Sequence, residues 1–503
     1  MDKLNEFRYT MDSCNHCGQC KWILPHKMHG WDFAEVCPIY QYYGFDSCSG
    51  QGLINIAKEV LNGTVSFDPP ETAAAFEAAP ANPERSALNA APTDPRLASL
   101  DAAPADPGPS ALEATQTDSE SAALDTATTN SESAALDSTP SDPESSALDT
   151  APANPGLSAL DSPQNLLFTC TACGACDVNC KSVRDMEVLD TIYALRADCA
   201  EKGALPESIK ETGTDIINTH NIYGLPHESR CSWLPADCGE TPDEDTVLFL
   251  GCAASYQQKE VALAAIKILK KGGVPFRLLR EEEFCCGAFL WRTGQTAAAG
   301  ELVHRNIELF RLQGVRTLIT ACGECFGSFR SGYPRFEAMP CEVRHISEVA
   351  AELISDGKLL PQPVSFPGPV AWHDPCMLGR QSEEYIPWNG VMKPYGLLEP
   401  PKVWRRGEHG IYDSPREVLR AIPGLELSEM PRNCEDSFCC GAMAIDPKFR
   451  NWAASERRRE AAASGAAALV TSCPFCMNAL DSGKGSGLPC YDLSVLLADA
   501  LPD

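Results

Sequence analysis

The sequence predicts an α/β fold in the carboxyl-terminal half of the chain, made of two duplicated domains, and a mainly α-helical, cysteine-rich domain before them. Three observations predict this organisation. A segment with the pattern of strand, cysteine and amphipathic helix occurs twice after residue 243; cysteines recur at every third position on both sides of a gap; and the gap itself, residues 64–163, repeats a polar 12-residue unit. A chain of 503 residues has room for roughly three domains of ordinary size.

The 25 cysteines indicate metal ligands rather than disulfides. No apolar signal segment follows Met1, and the cysteines cluster in C-x-x-C and Cys-Cys groups, which is typical of reduced thiols in the cytoplasm. No window approaches the roughly 18 consecutive apolar residues that a membrane helix needs, so we expect no direct membrane span. Any peripheral attachment at the inner membrane should come through a partner subunit. The net charge of −28 argues against binding to nucleic acid.

Residues 64–163 are predicted to form a disordered acidic insertion. Leucines recur every 12 residues from Leu88 to Leu160. Twelve residues turn a helix by about 1200°, which leaves successive leucines about 120° apart and forms no apolar stripe. Residues 68–163 also hold 17 acidic residues against two arginines, a net charge of −15. Such a composition cannot bury enough surface to offset the entropy of ordering. A spacer or docking arm is the functional alternative.

Eight cysteines on the two sides of the insertion, in residues 1–63 and 164–200, have ferredoxin-type spacing. The first group is Cys14, Cys17 and Cys20, followed after 16 residues by Cys37; the second is Cys170, Cys173, Cys176 and Cys180. In two-cluster ferredoxins the fourth cysteine of each motif binds the other cluster. The pattern therefore predicts a two-cluster ferredoxin-like domain with two cubane 4Fe-4S clusters, in which Cys180 completes the first site and Cys37 the second. Zinc is the alternative, although zinc knuckles seldom use three cysteines at intervals of three.

The duplicated part begins after a connector, residues 201–242. Residues 246–250 are typical of a buried strand that leads to Cys252, residues 261–271 of an amphipathic helix, and residues 315–320 of a strand that leads to Cys322. In the second copy, residues 369–373 lead to Cys376 and residues 467–471 lead to Cys473. We therefore predict two α/β domains, residues 243–360 and 366–503.

Each of these domains carries five cysteines in matching order. The first set is Cys252, Cys285, Cys286, Cys322 and Cys325, and the second is Cys376, Cys439, Cys440, Cys473 and Cys476. Adjacent cysteines do not easily serve one tetrahedral zinc ion, whereas a multinuclear cluster offers several metal corners to neighbouring thiolates. A vicinal disulfide or a four-cysteine zinc site is the alternative in each domain. The other seven cysteines, Cys48 among them, are expected to be inert packing residues.

The paired sets and the ferredoxin motifs before them resemble the cysteine-rich CCG-domain family, represented by the B-type and D-type subunits of heterodisulfide reductase and the iron-sulfur subunit of glycolate oxidase. The resemblance covers nearly everything except residues 64–163 and is strongest to the D-type subunit. It implies that one or both five-cysteine sets hold a noncubane 4Fe-4S cluster of the kind that cleaves a disulfide in two one-electron steps. We expect the second set to be the catalytic one.

The segment around Cys376 departs from that family. Its members commonly have histidine where this chain has Met377, and residues 381–409 are an additional stretch. A packed surface loop is one interpretation of this stretch, and a lid or partner-docking surface near the second cysteine set is the other. His373 is a candidate proton donor to a departing thiolate, because the unperturbed pKa of histidine lies near neutrality. A local hydrogen-bonding role for His373 is the alternative.

These features predict an iron-sulfur oxidoreductase subunit that passes electrons from the cubane clusters to the CCG domains and there reduces the disulfide of a small thiol or of a protein. The electron source would be a membrane cytochrome or quinone-reactive subunit, or a flavoprotein subunit. One alternative is an electron relay within a 2-hydroxyacid dehydrogenase of the glycolate or lactate type, or within a membrane redox complex. A second is a scaffold or redox sensor whose acidic arm recruits partners. No Gly-x-Gly-x-x-Gly fingerprint for a dinucleotide follows a strand.

Overall fold

The computed structural model describes residues 2–67, 162–235, 237–394, 397–482 and 487–502. The predicted disordered insertion, residues 64–163, falls outside these residues except at its two ends. In the part of the chain that the structure describes, no helix combines the length and the apolar character needed to cross a membrane. The predicted fold class is confirmed, because a helical region is followed by two parallel α/β sheets.

The helical region draws on both sides of the insertion. Its helices are α1 (Asp2–Asn5), α2 (Arg8–Ser13), α3 (Pro38–Tyr43), α4 (Gly50–Leu61), α5 (Pro163–Thr169), α6 (Ala175–Lys181), α7 (Val188–Glu201) and α8 (Glu207–Thr219). In α4, the apolar residues Leu53, Ile54, Ala57 and Val60 recur on one face, and all four are buried. That face packs against α7, so the two halves of the region share one apolar core.

The first α/β domain contains a parallel sheet with the strand order β1, β2, β3. The strands are β1 (Thr246–Phe249), β2 (Thr317–Thr320) and β3 (Glu342–His345). The helices are α9 (Gly251–Tyr256), α10 (Lys259–Lys271), α11 (Ala288–Arg292), α12 (Thr296–Leu312), α13 (Gly323–Gly327) and α14 (Ile346–Ser355). Thr246 pairs with Thr317, which pairs with Glu342, so the three strands begin level with one another. A single bridge joins Val247 to Arg277 beside β1.

The second α/β domain repeats this arrangement with the strand order β7, β4, β8, β9. The strands are β4 (Val370–Trp372), β7 (Leu427–Ser428), β8 (Ala468–Thr471) and β9 (Cys490–Asp492). The helices are α15 (Asp413–Ala421), α16 (Pro447–Ala463), α17 (Pro474–Ser482) and α18 (Leu493–Ala500). Strands β4, β8 and β9 correspond to β1, β2 and β3, and β7 takes the place of the Arg277 bridge. The predicted duplication is therefore confirmed at the level of sheet topology.

The sheets bring the cysteines of the two domains to one region. Cys252 follows β1, Cys322 follows β2 and Cys473 follows β8, so each cysteine lies at the carboxyl end of a parallel strand. The backbone N–H of Gly323 donates to the carbonyl of Ser472 at 3.3 Å. The ends of β2 and β8 therefore meet, and the buried apolar cores of the two domains are continuous.

The additional stretch, residues 381–409, packs on the helical region by its second half. Lys402 pairs with Glu187 at 2.7 Å, and Arg405 pairs with Asp190 at 3.3 Å. Its tip is a short antiparallel hairpin of β5 (Val391–Met392) and β6 (Leu398–Glu399), which exposes apolar side chains such as Val391. The stretch therefore combines a packed base with an exposed apolar tip.

Candidate metal centres formed by four cysteine groups

Site A consists of Cys14, Cys17, Cys20 and Cys180, whose side chains line one cavity. The loop before Cys20 turns back on itself because His16 and Gly18 adopt left-handed backbone conformations, with φ of 56° and 79°. Cys180 reaches the cavity from α6. Cys17 is exposed whereas Cys20 is buried, so site A lies at the edge of the helical region.

Site B consists of Cys37, Cys170, Cys173 and Cys176, which line a second cavity. Glycine is required at position 50, because a Cβ atom there would lie 2.8 Å from the Cβ of Cys176. Cys48 lines the same cavity, and burial raises the pKa of its thiol to about 11. No spacing motif in the sequence marks Cys48, so sequence reasoning missed its place beside site B.

The structure groups these cysteines in the way that the crossover pattern describes. Cys180, from the second motif, lies with the first motif, and Cys37 lies with the second. Cluster ligation by the eight thiols stays a prediction. All 25 cysteines lie in the described residues and all are free thiols, so no vicinal disulfide occupies either five-cysteine set.

The two five-cysteine sets form sites C and D, and hydrogen bonds link the thiols within each site. Site C runs in contact order from Cys252 through Cys285, Cys286 and Cys325 to Cys322. Site D runs from Cys376 through Cys439, Cys440 and Cys476 to Cys473. Hydrogen bonds from its neighbours lower the pKa of Cys286 to about 6 and hold the pKa of Cys440 well below its usual range. The middle cysteine of each site therefore favours the thiolate form, which binds metal.

The four sites form a row in the order A, B, D, C. Cys20 of site A interacts electrostatically with Cys176 of site B. Cys173 of site B shares a hydrogen bond with Cys439 of site D. Cys473 of site D shares one with Cys322 of site C. Spatial order thus differs from chain order, and the predicted catalytic set, site D, lies between site B and site C.

The donor chemistry of the four sites fits iron-sulfur clusters. All four sites offer thiols, to which His373 adds a ring nitrogen near Cys440 and Cys476 of site D. Sites C and D each offer five thiols, one more than a tetrahedral zinc ion uses. Thiolate donors at several corners suit a multinuclear iron-sulfur centre. The residues present therefore fit such clusters better than single zinc ions.

His373 lies against site D, at the end of β4. Its Nδ1 atom accepts a hydrogen bond from Arg457 Nε at 3.0 Å, so a neutral ring carries its proton on Nε2. Nε2 is buried without another hydrogen-bond partner in the described residues. A ring nitrogen of His373 lies within 4.8 Å of the sulfur atoms of Cys440 and Cys476. His373 is thus oriented toward the thiols, as a hydrogen-bond donor to sulfur must be.

A cleft of about 740 Å³ adjoins site A. Its walls come from α2, from residues 184–190 and from the additional stretch, and they include Tyr9, Trp388 and Trp404. Arg184 and Met186 line both this cleft and the site A cavity. The additional stretch therefore shapes the surface beside site A. The sequence interpretation had placed this stretch near the second cysteine set.

Comparison with known proteins gives two kinds of similarity. The sequence model of one protein family, the CCG cysteine-rich domain, matches this chain at residues 246–330 and 403–481. Over 345 residues the chain is 33% identical to the D-type subunit of the dihydromethanophenazine:CoB-CoM heterodisulfide reductase of Methanosarcina mazei, an alignment that covers 66% of this chain and 77% of the relative.

Two further relatives are larger proteins. The probable iron-sulfur-binding oxidoreductase FadF of Bacillus subtilis is 28% identical over 67% of this chain and 46% of its own length. The EtfAB:quinone oxidoreductase of Syntrophomonas wolfei is 28% identical over 63% of this chain and 43% of its own length.

Proposed function

Because the chain belongs to the family of heterodisulfide reductase D-type subunits and carries the CCG domain twice, we propose that it passes electrons from cubane 4Fe-4S clusters at sites A and B to noncubane 4Fe-4S clusters at sites C and D, where a disulfide is reduced. The coarser part of this statement follows from the family: the chain is an iron-sulfur oxidoreductase subunit. The number and type of the clusters and the disulfide substrate are our proposal, as is the domain division predicted from the sequence.

The observation that supports the proposal most is the unbroken row of sites. Cys173 contacts Cys439, and Cys322 contacts Cys473. Neighbouring centres with touching ligands provide short steps for electrons through a buried interior. Reduction of one disulfide consumes two electrons and two protons and yields two thiols, so two adjacent redox sites match the electron count.

The thiols of site D and His373 are our proposed catalytic groups. The cysteines are Cys376, Cys439, Cys440, Cys473 and Cys476. Arg457 fixes the imidazole through Nδ1, and Glu460 in turn holds Arg457 at 2.7 Å. Because Nδ1 accepts from Arg457, the proton on Nε2 is the only one on the ring, and losing it would leave an imidazolate. Nε2–H therefore donates a hydrogen bond that stabilises the departing substrate thiolate, while both protons come from solvent.

Electrons would enter at site A, from a membrane cytochrome or quinone-reactive subunit or from a flavoprotein subunit. The exposed Cys17 and the aromatic cleft beside site A support this assignment. The names of two relatives, a dihydromethanophenazine-dependent reductase and a quinone oxidoreductase, also suit such a donor. A partner of this kind would hold the chain at the periphery of the inner membrane.

The second candidate function is an electron relay without disulfide chemistry, inside a 2-hydroxyacid dehydrogenase or a membrane redox complex. It is favoured by the names of FadF and of the EtfAB:quinone oxidoreductase, neither of which mentions a disulfide. In that case substrate would be oxidised on another subunit, and sites C and D would only conduct.

An anaerobic EPR experiment with the full chain, reconstituted with iron and sulfide, distinguishes the two functions. Both functions predict about 12 to 16 iron atoms per chain. Only disulfide reduction predicts a signal in the oxidised protein that appears when a thiol is added. That signal should be lost in Cys440→Ala and kept in Cys341→Ala, which changes a cysteine outside the four sites. Clusters that are reducible but indifferent to every thiol would leave only the relay.

A further inference from the structure

Three buried arginines hold the cysteine loop of site B, residues 170–173. Arg196 donates hydrogen bonds to the carbonyl of Leu167, at 3.1 Å, and to the carbonyl of Cys170. Arg292 donates to the carbonyls of Thr171 and Ala172, at 3.0 and 3.1 Å. Arg380 donates to the carbonyl of Cys173 at 2.7 Å. Each arginine is at most 4% exposed. They come from α7, from the end of α11 and from the segment after Cys376. The helical region and both α/β domains thus meet on this loop.

Carboxylates neutralise only part of this charge. Arg292 pairs with Glu324. Among the described residues, Arg196 and Arg380 donate to backbone carbonyls and have no carboxylate within ion-pair distance. Arg380 Nη2 is buried without a hydrogen-bond partner. An unpaired buried guanidinium is costly, so a nearby negative charge must offset it.

The thiols beside the arginines can supply that negative charge. Arg380 Nε donates to the carbonyl of Cys173 at 2.7 Å, and its Nη1 atom donates to the carbonyl of Ser437, two residues before Cys439, at 2.6 Å. These cysteines belong to sites B and D, which meet at this point. None of the three arginines lines the site B cavity itself, so a cluster held there by thiolates would lie across the loop from cations that are shielded from water and salt.

Site A has a different electrostatic setting. The two buried lysines next to its cysteines are already paired: Lys21 with Asp46 at 2.5 Å, and Lys181 with Asp177 and Glu187, each at 2.7 Å. Arg184 lines the site A cavity but is exposed to water. Among the described residues, no buried arginine donates to the backbone of the site A loop, residues 14–20, whereas three do so at site B.

We propose that Arg196, Arg292 and Arg380 form a cationic clamp that raises the reduction potential of the site B cluster above that of the site A cluster. Net charge and hydrogen bonding around an iron-sulfur cluster are among the determinants of its potential. The clamp makes site B the electron acceptor of the cubane pair, so electrons that arrive at site A move inward to site D. This inference rests on the proposed function, in that site B must hold a cluster.

The test is an anaerobic redox titration followed by EPR, in a Cys180→Ala background that removes a ligand of site A and leaves the site B cubane. At the potential where the site B cluster of the parent is half reduced, Arg380→Gln should lower the ratio of reduced to oxidised cluster by about tenfold. For a one-electron couple this equals a fall in reduction potential of about 59 mV. Arg380→Lys keeps the charge and should shift the ratio much less. Arg277→Gln is the matched control, because Arg277 also caps backbone carbonyls but lies at the opposite end of β1 from Cys252.

A second variant keeps the test decisive if Arg380→Gln fails to assemble its cluster. Glu324→Gln frees the charge of Arg292 and should raise the potential, the opposite sign. Glu324→Asp keeps the carboxylate and should leave the potential unchanged, whereas water entering a loosened fold would raise it in both variants. An unchanged potential in Arg380→Gln, an equal shift in Arg380→Lys, or no rise in Glu324→Gln when it is the variant measured would overturn the clamp. A parent protein that shows no reducible cubane would instead overturn the proposed function, and the clamp with it.

Discussion

Replacement of Cys180 by alanine tests the crossed pairing of the two cysteine motifs. Cys180 belongs to the second motif by sequence, yet its side chain lines the cavity of Cys14, Cys17 and Cys20. Cys180→Ala should therefore remove the site A cluster, a loss of about four iron atoms per chain, and leave site B intact. Iron analysis and EPR of the dithionite-reduced protein measure both effects.

Double variants show which cysteines share a cluster. Adding Cys17→Ala to Cys180→Ala should cost no further iron, because both remove ligands of site A. Adding Cys173→Ala should raise the loss to about eight atoms, because it removes a ligand of site B. Cys199→Ala is the matched control, since Cys199 is also buried, on α7, but lies outside the four sites. A loss of only about four atoms in the Cys180/Cys173 pair would refute the crossover.

Three further predictions concern stability. Gly251→Ala should disrupt site C and destabilise the chain by about 1 to 2 kcal/mol, measured by urea unfolding and iron content, because φ at 251 is 77° and a Cβ would lie 2.8 Å from Cys325 Sγ. Burial raises the pKa of Asp492 from 3.8 to about 8. Between these two pH values the folded state retains a proton that the unfolded state releases. The free energy of unfolding should therefore fall by roughly 1.4 kcal/mol for each pH unit as the pH rises through this range. Asp492→Asn should flatten this slope in Tm between pH 5 and pH 9, and an unchanged slope would contradict it. Burial alone would raise the pKa of Asp190, but the guanidinium of Arg335 holds this pKa below its usual range. The pair therefore stabilises the folded state above pH 4, and this contribution is lost in acid. Asp190→Asn should cost about 3 kcal/mol at pH 7 and progressively less as the pH falls toward 2, in urea unfolding at each pH.

The fold class and the cysteine groups could be predicted from the sequence because both are local patterns. Strands that end in cysteine, followed by helices, repeat in order, and the periods of two and 3.6 are visible within a dozen residues. The pairing of Cys180 with the first motif follows from the rule that, in two-cluster ferredoxins, the fourth cysteine of each motif binds the other cluster. Neither inference needs a long-range contact to be known in advance.

The order of the sites was not predictable, because it depends on contacts between residues far apart in the chain. Cys173 meets Cys439 only because the helical region docks on the second α/β domain, and Cys322 meets Cys473 only because the ends of β2 and β8 adjoin. Arg380 had one sequence signal, its place seven residues after His373 in the segment around Cys376. The local sequence does not indicate which residues Arg380 contacts in the folded chain.

The sequence alone therefore determined which atoms can bind metal and in which groups of four or five they come. Thiol chemistry and short spacing belong to the residues themselves, whatever the rest of the chain does. Only the tertiary structure decided that site D lies between sites B and C, and that three buried arginines, two of them without a carboxylate partner among the described residues, hold the loop of site B. Those features arise when domains pack, because packing sets the distances between sites and removes the water that would otherwise screen their charges.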